Sequence, residues 1–172
     1  MKYIFIILLP SFLFGNTPLE NQDFDIKKFS GLWYEIARVE NSFQTSCVAS
    51  SVEYILQNDN SYDVYNRCFE KELDGKLIEY NGSATEIEEN NTSKLKMRYL
   101  LFFTQEYNII YINNYKTAVV TNDDFSNVWI MSRTPSINEN ELQLILEKLK
   151  TKMNTSDLLF TKLHSKGKYK WK

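Results

Sequence analysis

The sequence is short of several residue types that carry chemistry or punctuate folds. It has a single histidine, His164, close to its end. That removes most imidazole-dependent catalysis and zinc sites built on several imidazoles. There are two cysteines, Cys47 and Cys68, and among 172 residues only 5 glycines and 3 prolines. No Gly-rich loop of the kind that cradles phosphates occurs. The net charge is −2, too small to drive non-specific nucleic-acid binding. After Phe14 no apolar run approaches the roughly 20 residues of a membrane-spanning helix. What is abundant is aromatic: 15% of the residues, with 11 Tyr and 11 Phe. Aromatic side chains favour strands. With 43% hydrophobic and 24% charged residues, the composition is that of a globular chain. Its length fits one domain on the usual scale of roughly 100–200 residues.

The first residues read as an address rather than as part of the fold. Met1-Lys2 is a positive start, Tyr3 to Phe14 is apolar apart from Tyr3 and Ser11, and Leu13-Phe14-Gly15 offers a small-residue cleavage site. Residues 1–15 are therefore expected to be a secretory signal peptide, with 16–25 an N-terminal extension. An apolar stretch of about 12 residues is too short for a membrane anchor. Export leads to an oxidising compartment, where an even number of cysteines points to one disulfide. The alternative is a reactive or metal-binding thiol, but two cysteines and one distant histidine have no zinc spacing.

From Gly31 to Arg133, short runs rich in Val, Ile, Tyr, Phe and Thr alternate with turn-like clusters such as Gln57–Ser61, Asp74-Gly75 and Asn122–Asn127. This predicts eight antiparallel strands near 32–40, 48–56, 62–69, 77–87, 94–103, 107–113, 116–121 and 127–133. The two-residue alternation is plainest where Leu95, Met97, Tyr99 and Leu101 oppose Lys94, Lys96 and Arg98. On 48–56, Val48, Ser50, Val52, Tyr54 and Leu56 share a face. A sheet with one greasy face must bury it, and eight strands with a single helix do so most economically by closing into a barrel. A barrel of that size either holds one small ligand or is filled by its own side chains. One helix is expected over 138–152, capped by Ser136 or Asn138, with Leu142, Ile145, Leu146 and Leu149 as its apolar stripe against the barrel wall. A last strand follows over 158–163. The expected class is all-β: an eight-stranded antiparallel up-and-down barrel with one C-terminal α-helix packed on the wall.

Two segments carry a resemblance. Gly31-Leu32-Trp33-Tyr34-Glu35-Ile36-Ala37-Arg38 is similar to the G-x-W opening strand of the lipocalins, and in its longer form to the bacterial and apolipoprotein D-like branch. Trp129-Ile130-Met131-Ser132-Arg133-Thr134-Pro135 resembles that family's last barrel strand, and a helix follows it. Of the family's central T-D-Y turn, only Tyr115 is matched, in Asn113-Asn114-Tyr115. The resemblance covers 26–163. It implies that Trp33 fills the closed end of the barrel with Arg133 over its ring, a structural pair held by cation–π attraction and guanidinium hydrogen bonds. It also implies that Cys47 and Cys68 pair as in some exported bacterial members.

The resemblance further implies binding, storage or transport of a small hydrophobic ligand of the fatty acid or lysophospholipid class, without catalysis and without cofactor or metal. Alternation supplies an expected lining of Val52, Tyr54, Val64, Tyr80, Ala84, Met97, Tyr99 and Trp129, with Ser50, Gly82 and Ala84 leaving space. Glu35 alternates with Trp33 and so points inward near the base, either as a hydrogen-bonded structural carboxylate or as a polar anchor for the ligand. The adjacent pairs Glu88-Glu89 and Asp123-Asp124 do not suit an acid–base dyad, because neighbours on a strand face opposite ways. A lipid isomerase on this fold and a structural envelope protein with a filled barrel are the competing readings. Leu13-Phe14-Gly15 is lipobox-like, but Asn16 stands where lipoprotein relatives have the acylated cysteine, so a soluble periplasmic or secreted protein is expected. In the tail, 164–172, Lys166, Lys168, Lys170 and Lys172 alternate with Gly167, Tyr169 and Trp171, a pattern suited to peripheral contact with anionic lipid.

Overall fold

A computed structural model of the chain describes residues 24–87, 93–99 and 103–163. The signal segment, Glu88-Glu89, Leu101, His164 and the basic tail lie outside the described residues. A short helix, α1 (Ile26–Phe29), leads into eight strands: β1 (Gly31–Val39), β2 (Cys47–Leu56), β3 (Tyr62–Glu70), β4 (Leu77–Glu86), β5 (Lys94–Tyr99), β6 (Phe103–Asn113), β7 (Thr117–Thr121) and β8 (Val128–Ser132). Helix α2 (Glu139–Leu149), a 3₁₀ turn (Thr155–Asp157) and a short β9 (Leu158–Phe160) follow. Each strand pairs antiparallel with the next, and β1 pairs with both β8 and β2, which closes the barrel. The expected fold class is therefore the observed one.

β1 divides one of its edges between two partners. Gly31–Tyr34 pairs with β2, and Ala37–Val39 pairs with β9. Its opposite edge is taken by β8, with a register shift between Glu35 and Ala37. That bulge turns both Ile36 and Ala37 to the outside, where they pack with Ile145 and Leu149 of α2. A second shift, between Val48 and Ser51, holds Ala49 at φ 53°. It sends Ala49 outward against Tyr34, while Val52 and Tyr54 stay with the core, so the even alternation expected across 48–56 is interrupted at its start.

Three other boundaries differ from expectation. Phe103 does not belong with 94–99: it opens β6 and pairs with Tyr99 of β5, where one strand to 103 and another from 107 are expected. The polar run Thr104-Gln105-Glu106 falls between two expected strands but is itself strand: Thr104 lies across from Arg98 and Glu106 from Lys96, exposed polar pairs on the outer face. Helix α2 starts from the Asn138 cap, whose side chain accepts from the Asn140 and Glu141 amides, and ends at Leu149. β9 is three residues long rather than spanning 158–163. The helix stripe lies where expected, with Ile145 and Leu149 buried and Leu142 and Leu146 partly so.

Candidate ligand-binding site

The site begins with the plug beneath it. Asp25 caps α1 by accepting from the Lys27 and Lys28 amides, and its own amide donates to the Tyr115 hydroxyl at 2.7 Å. The Tyr62 hydroxyl donates to the Ile26 carbonyl. These bonds seat Phe24 and Phe29 under the barrel, with the Phe29 ring 5.1 Å from that of Trp33. Trp33 is fully buried, and its indole N–H donates to the Phe29 carbonyl at 2.9 Å. Arg133 lies 3.7 Å above the Trp33 ring. Its guanidinium donates to the carbonyls of Leu32 (2.8 Å), Tyr115 (3.2 Å), Lys28, Phe29 and Ser30. One planar fork thus satisfies chain-end carbonyls that would otherwise be stranded.

Above the plug, at the opposite end of the barrel, opens a cavity of about 490 Å³. Val52, Met97, Val120, Met131 and Trp129 supply apolar wall, and Tyr54, Tyr99 and Tyr107 supply phenols. Phe43 and Phe103 meet edge-on at its lip, ring centroids 5.0 Å apart. The Cys47–Cys68 disulfide joins β2 to β3 beside the mouth.

Among the described residues, Glu35 and Arg38 form a charged pair within the barrel. They are 5% and 2% exposed and 2.6 Å apart. Glu35 also accepts from the Thr161 hydroxyl (2.6 Å) and the Gln44 amide (2.7 Å). Arg38 donates onward to the carbonyls of Gln44 (2.9 Å) and Cys47 (3.2 Å). Gln44 in turn accepts from the Trp129 indole at 3.1 Å and from Asn41 at 2.8 Å. The charges are thus mutually compensated, with the Arg38 Nε alone of that guanidinium's nitrogens left without a partner, and they tie the loop after β1 to the cavity wall.

The expected lining residues divide into three groups. Val52, Tyr54, Met97, Tyr99 and Trp129 line the cavity. Tyr80 stands at its edge, 49% exposed. Val64 and Ala84 are fully buried in the packed base, with Phe29, Trp33 and Tyr62, and do not reach the open space. Gly82 leaves no vacancy either. A Cβ there would meet the Tyr99 ring at 2.7 Å and the Arg98 carbonyl oxygen at 2.6 Å, so the missing side chain is what lets the ring lie against β4.

Sequence reasoning missed Arg38, Gln44, Phe43, Asn66 and Tyr107. Strict alternation puts Arg38 outside, and only the β1 bulge brings it in. Gln44 and Phe43 belong to a loop without period. Asn66 and Tyr107 were within reach: Asn66 alternates with Val64, and reading 103–107 as strand would have paired Tyr107 with Leu95.

Burial governs the phenols. It raises Tyr54 and Tyr99 well above the ordinary tyrosine value and Tyr107 to about 12. Neighbouring phenols raise Tyr54 further. The wall therefore offers neutral hydroxyls at any physiological pH.

Comparison with known proteins gives this geometry a family. The sequence matches the Lipocalin-like domain family over residues 24–162. It is 28% identical over 168 residues to the outer membrane lipoprotein Blc of Vibrio cholerae, covering 93% of this chain and 98% of that protein. Blc of Citrobacter freundii is 32% identical over 135 residues, covering 77% and 73%. Bovine apolipoprotein D is 26% identical over 127 residues, covering 69% and 65%. Among solved structures, insecticyanin of the tobacco hornworm superposes with a TM-score of 0.69 at 17% identity, over 84% of each chain. A lobster apocrustacyanin gives 0.65 at 18% identity, over 81% of this chain and 80% of its own; likeness at such identity speaks to the fold alone. With the barrel, its Trp33–Arg133 base and the sequence match in agreement, the chain belongs to the lipocalin family, alongside the bacterial Blc proteins and apolipoprotein D.

Proposed function

We propose that the protein takes up one small hydrophobic molecule of the fatty acid or lysophospholipid class and stores or carries it unchanged, in the periplasm or outside the cell. The observation that carries this reading is the cavity. At about 490 Å³ it lies within the range of small-molecule sites, about 300–1,000 Å³, and it combines apolar walls with a few hydroxyls. The three hydrogen bonds that Glu35 accepts, from Arg38, Gln44 and Thr161, support a structural carboxylate rather than a catalytic one. A protein that binds without transforming needs no free acid or base, and this supports the carrier over the isomerase.

The test is native mass spectrometry of the purified protein for co-purifying lipid, followed by fluorescence titration with cis-parinaric acid. Met97 is 3% exposed on the cavity wall, so Met97→Arg puts a charge where the tail would lie. The expected result is saturable binding by the wild type and at least about tenfold weaker binding by the folded variant, since an unpaired buried charge is strongly disfavoured. Wild-type affinity in the variant overturns the site, and turnover of a bound lipid overturns the carrier in favour of an enzyme.

A further inference from the structure

The rim of the cavity mixes polar groups, Asn41 and Gln44, with an aromatic pair: Phe43 is 56% exposed and packs on Phe103. The cavity floor is phenolic. Tyr54 is 5% exposed, its ring wedged between Phe29 of the plug (5.0 Å) and Tyr62 (5.4 Å). Tyr62 spends its hydroxyl on the Ile26 carbonyl. The Tyr54 hydroxyl has no hydrogen-bond partner among the described residues, yet Tyr54 lines the cavity. A hydroxyl in that condition on a cavity wall has both its proton and its lone pairs open to whatever occupies the cavity.

Two further phenols share this space. Tyr54, Val64, Gly82 and Tyr99 are successive register neighbours across β2, β3, β4 and β5, so Tyr54 and Tyr99 stand in one row around the wall. Gly82 is what allows the Tyr99 ring to lie flat in that row. The Tyr99 oxygen accepts from the Asn66 amide at 3.0 Å, which orients the phenol and leaves its own proton to donate. Tyr107 is fixed by an edge-on contact with Trp129, centroids 5.2 Å apart, and its hydroxyl also has no partner among the described residues. All three stay protonated through the physiological range, because burial opposes their ionisation.

We propose that the hydroxyls of Tyr54, Tyr99 and Tyr107 form a receptor for an acceptor oxygen on a compact ligand head, a carboxyl or other carbonyl, so that the ligand enters polar end first and leaves its hydrocarbon tail toward the Phe43–Phe103 lip. This rests on the reading of the barrel as a lipid carrier and narrows it: a fatty acid fits the arrangement, whereas a lysophospholipid would have to bring a bulky headgroup past the wall.

Two fluorogenic polyenes separate head recognition from tail burial: cis-parinaric acid, which carries a carboxyl, and diphenylhexatriene, which carries no oxygen. Tyr54→Phe and the double variant Tyr54→Phe/Tyr107→Phe keep the ring volumes, and far-UV circular dichroism checks their folding. Should Tyr54→Phe fold poorly, Tyr107→Phe alone gives the same reading. Parinaric acid is expected to bind the variants about fivefold or more weakly, the net weight of a buried hydrogen bond, while diphenylhexatriene stays within about twofold of wild type. Unchanged parinaric acid affinity in the double variant overturns the receptor, and so does an equal weakening of both probes. A wild type that binds neither probe overturns the carrier reading itself, a result distinct from either of these.

Discussion

Arg133 shows how one side chain can hold a chain's beginning to its end. Its plane covers the Trp33 ring at 3.7 Å while its donors serve five carbonyls on α1, the start of β1 and the turn before β7. Lysine has neither the plane nor the fork for this. Trp33→Ala is expected to cost about 3–5 kcal/mol, the range for truncating a buried large aromatic. Arg133→Ala is expected to destabilise as well, by uncovering the ring and orphaning carbonyls. Urea unfolding measures both, and unchanged midpoints would remove Trp33 and Arg133 from the barrel base. The phenols give a second expectation. In the unfolded chain they release their protons near pH 10; folded, Tyr54, Tyr99 and Tyr107 hold them to higher pH, Tyr107 to about 12. Above pH 10 the folded state therefore binds more protons than the unfolded one, and stability falls as pH rises. The denaturant midpoint should be insensitive to these groups up to about pH 9 and then decline through about pH 12, and a flat profile across that window contradicts the burial of these hydroxyls.

Among the elements, β1 carries the most information, and it also shows where sequence pattern stops. Its G-x-W opening and the Lys94–Tyr99 alternation were legible because each is a local regularity: a motif in one case, charges against apolar residues in the other. The turn of Arg38 into the barrel was not legible, because a bulge changes the parity of everything after it without a sequence mark of its own. Ala49 at positive φ is similar, a non-glycine residue in a conformation that composition does not announce. Of the cavity, the wall of Met97, Tyr99 and Val52 could be read from period two; the loop residues Phe43 and Gln44 could not, since a loop has no period. The same bulged stretch depends on the segment after α2. The Thr161 amide donates to the Ile36 carbonyl, its hydroxyl donates to Glu35, and the Lys162 carbonyl accepts from Ala49. Thr161→Val keeps the shape and removes only the hydroxyl, leaving the buried carboxylate one donor short. A loss of about 1.5–3 kcal/mol is expected, as for hydrogen bonds to charged groups, read from the denaturant midpoint; no loss would show that Arg38 and Gln44 suffice to hold Glu35.

At the scale of the whole molecule, the Cys47–Cys68 bond spans a separation of 21 residues and fastens β2 to β3 beside the cavity mouth. Replacing both cysteines by serine is expected to cost about 3 kcal/mol in the chain-entropy account of a loop of this length. A matching urea midpoint for the variant and the oxidised wild type would show that the cross-link contributes nothing to stability. The closure of the barrel has a different consequence, one of timing. β1 is the first strand to be synthesised, yet its partner over Tyr34–Arg38 is β8, and the Arg133 fork reaches back 101 residues to Leu32 and 105 to Lys28. Contacts so distant in sequence repay the entropy of loop closure only once nearly the whole chain is present. A chain emerging N-terminus first can pair Gly31–Tyr34 with β2 early, but the β8 edge and the Arg133 fork must wait until the C-terminal strands have followed. The order of the strands thus acts as a delay on closure: the barrel becomes a ring only when its last wall strand arrives.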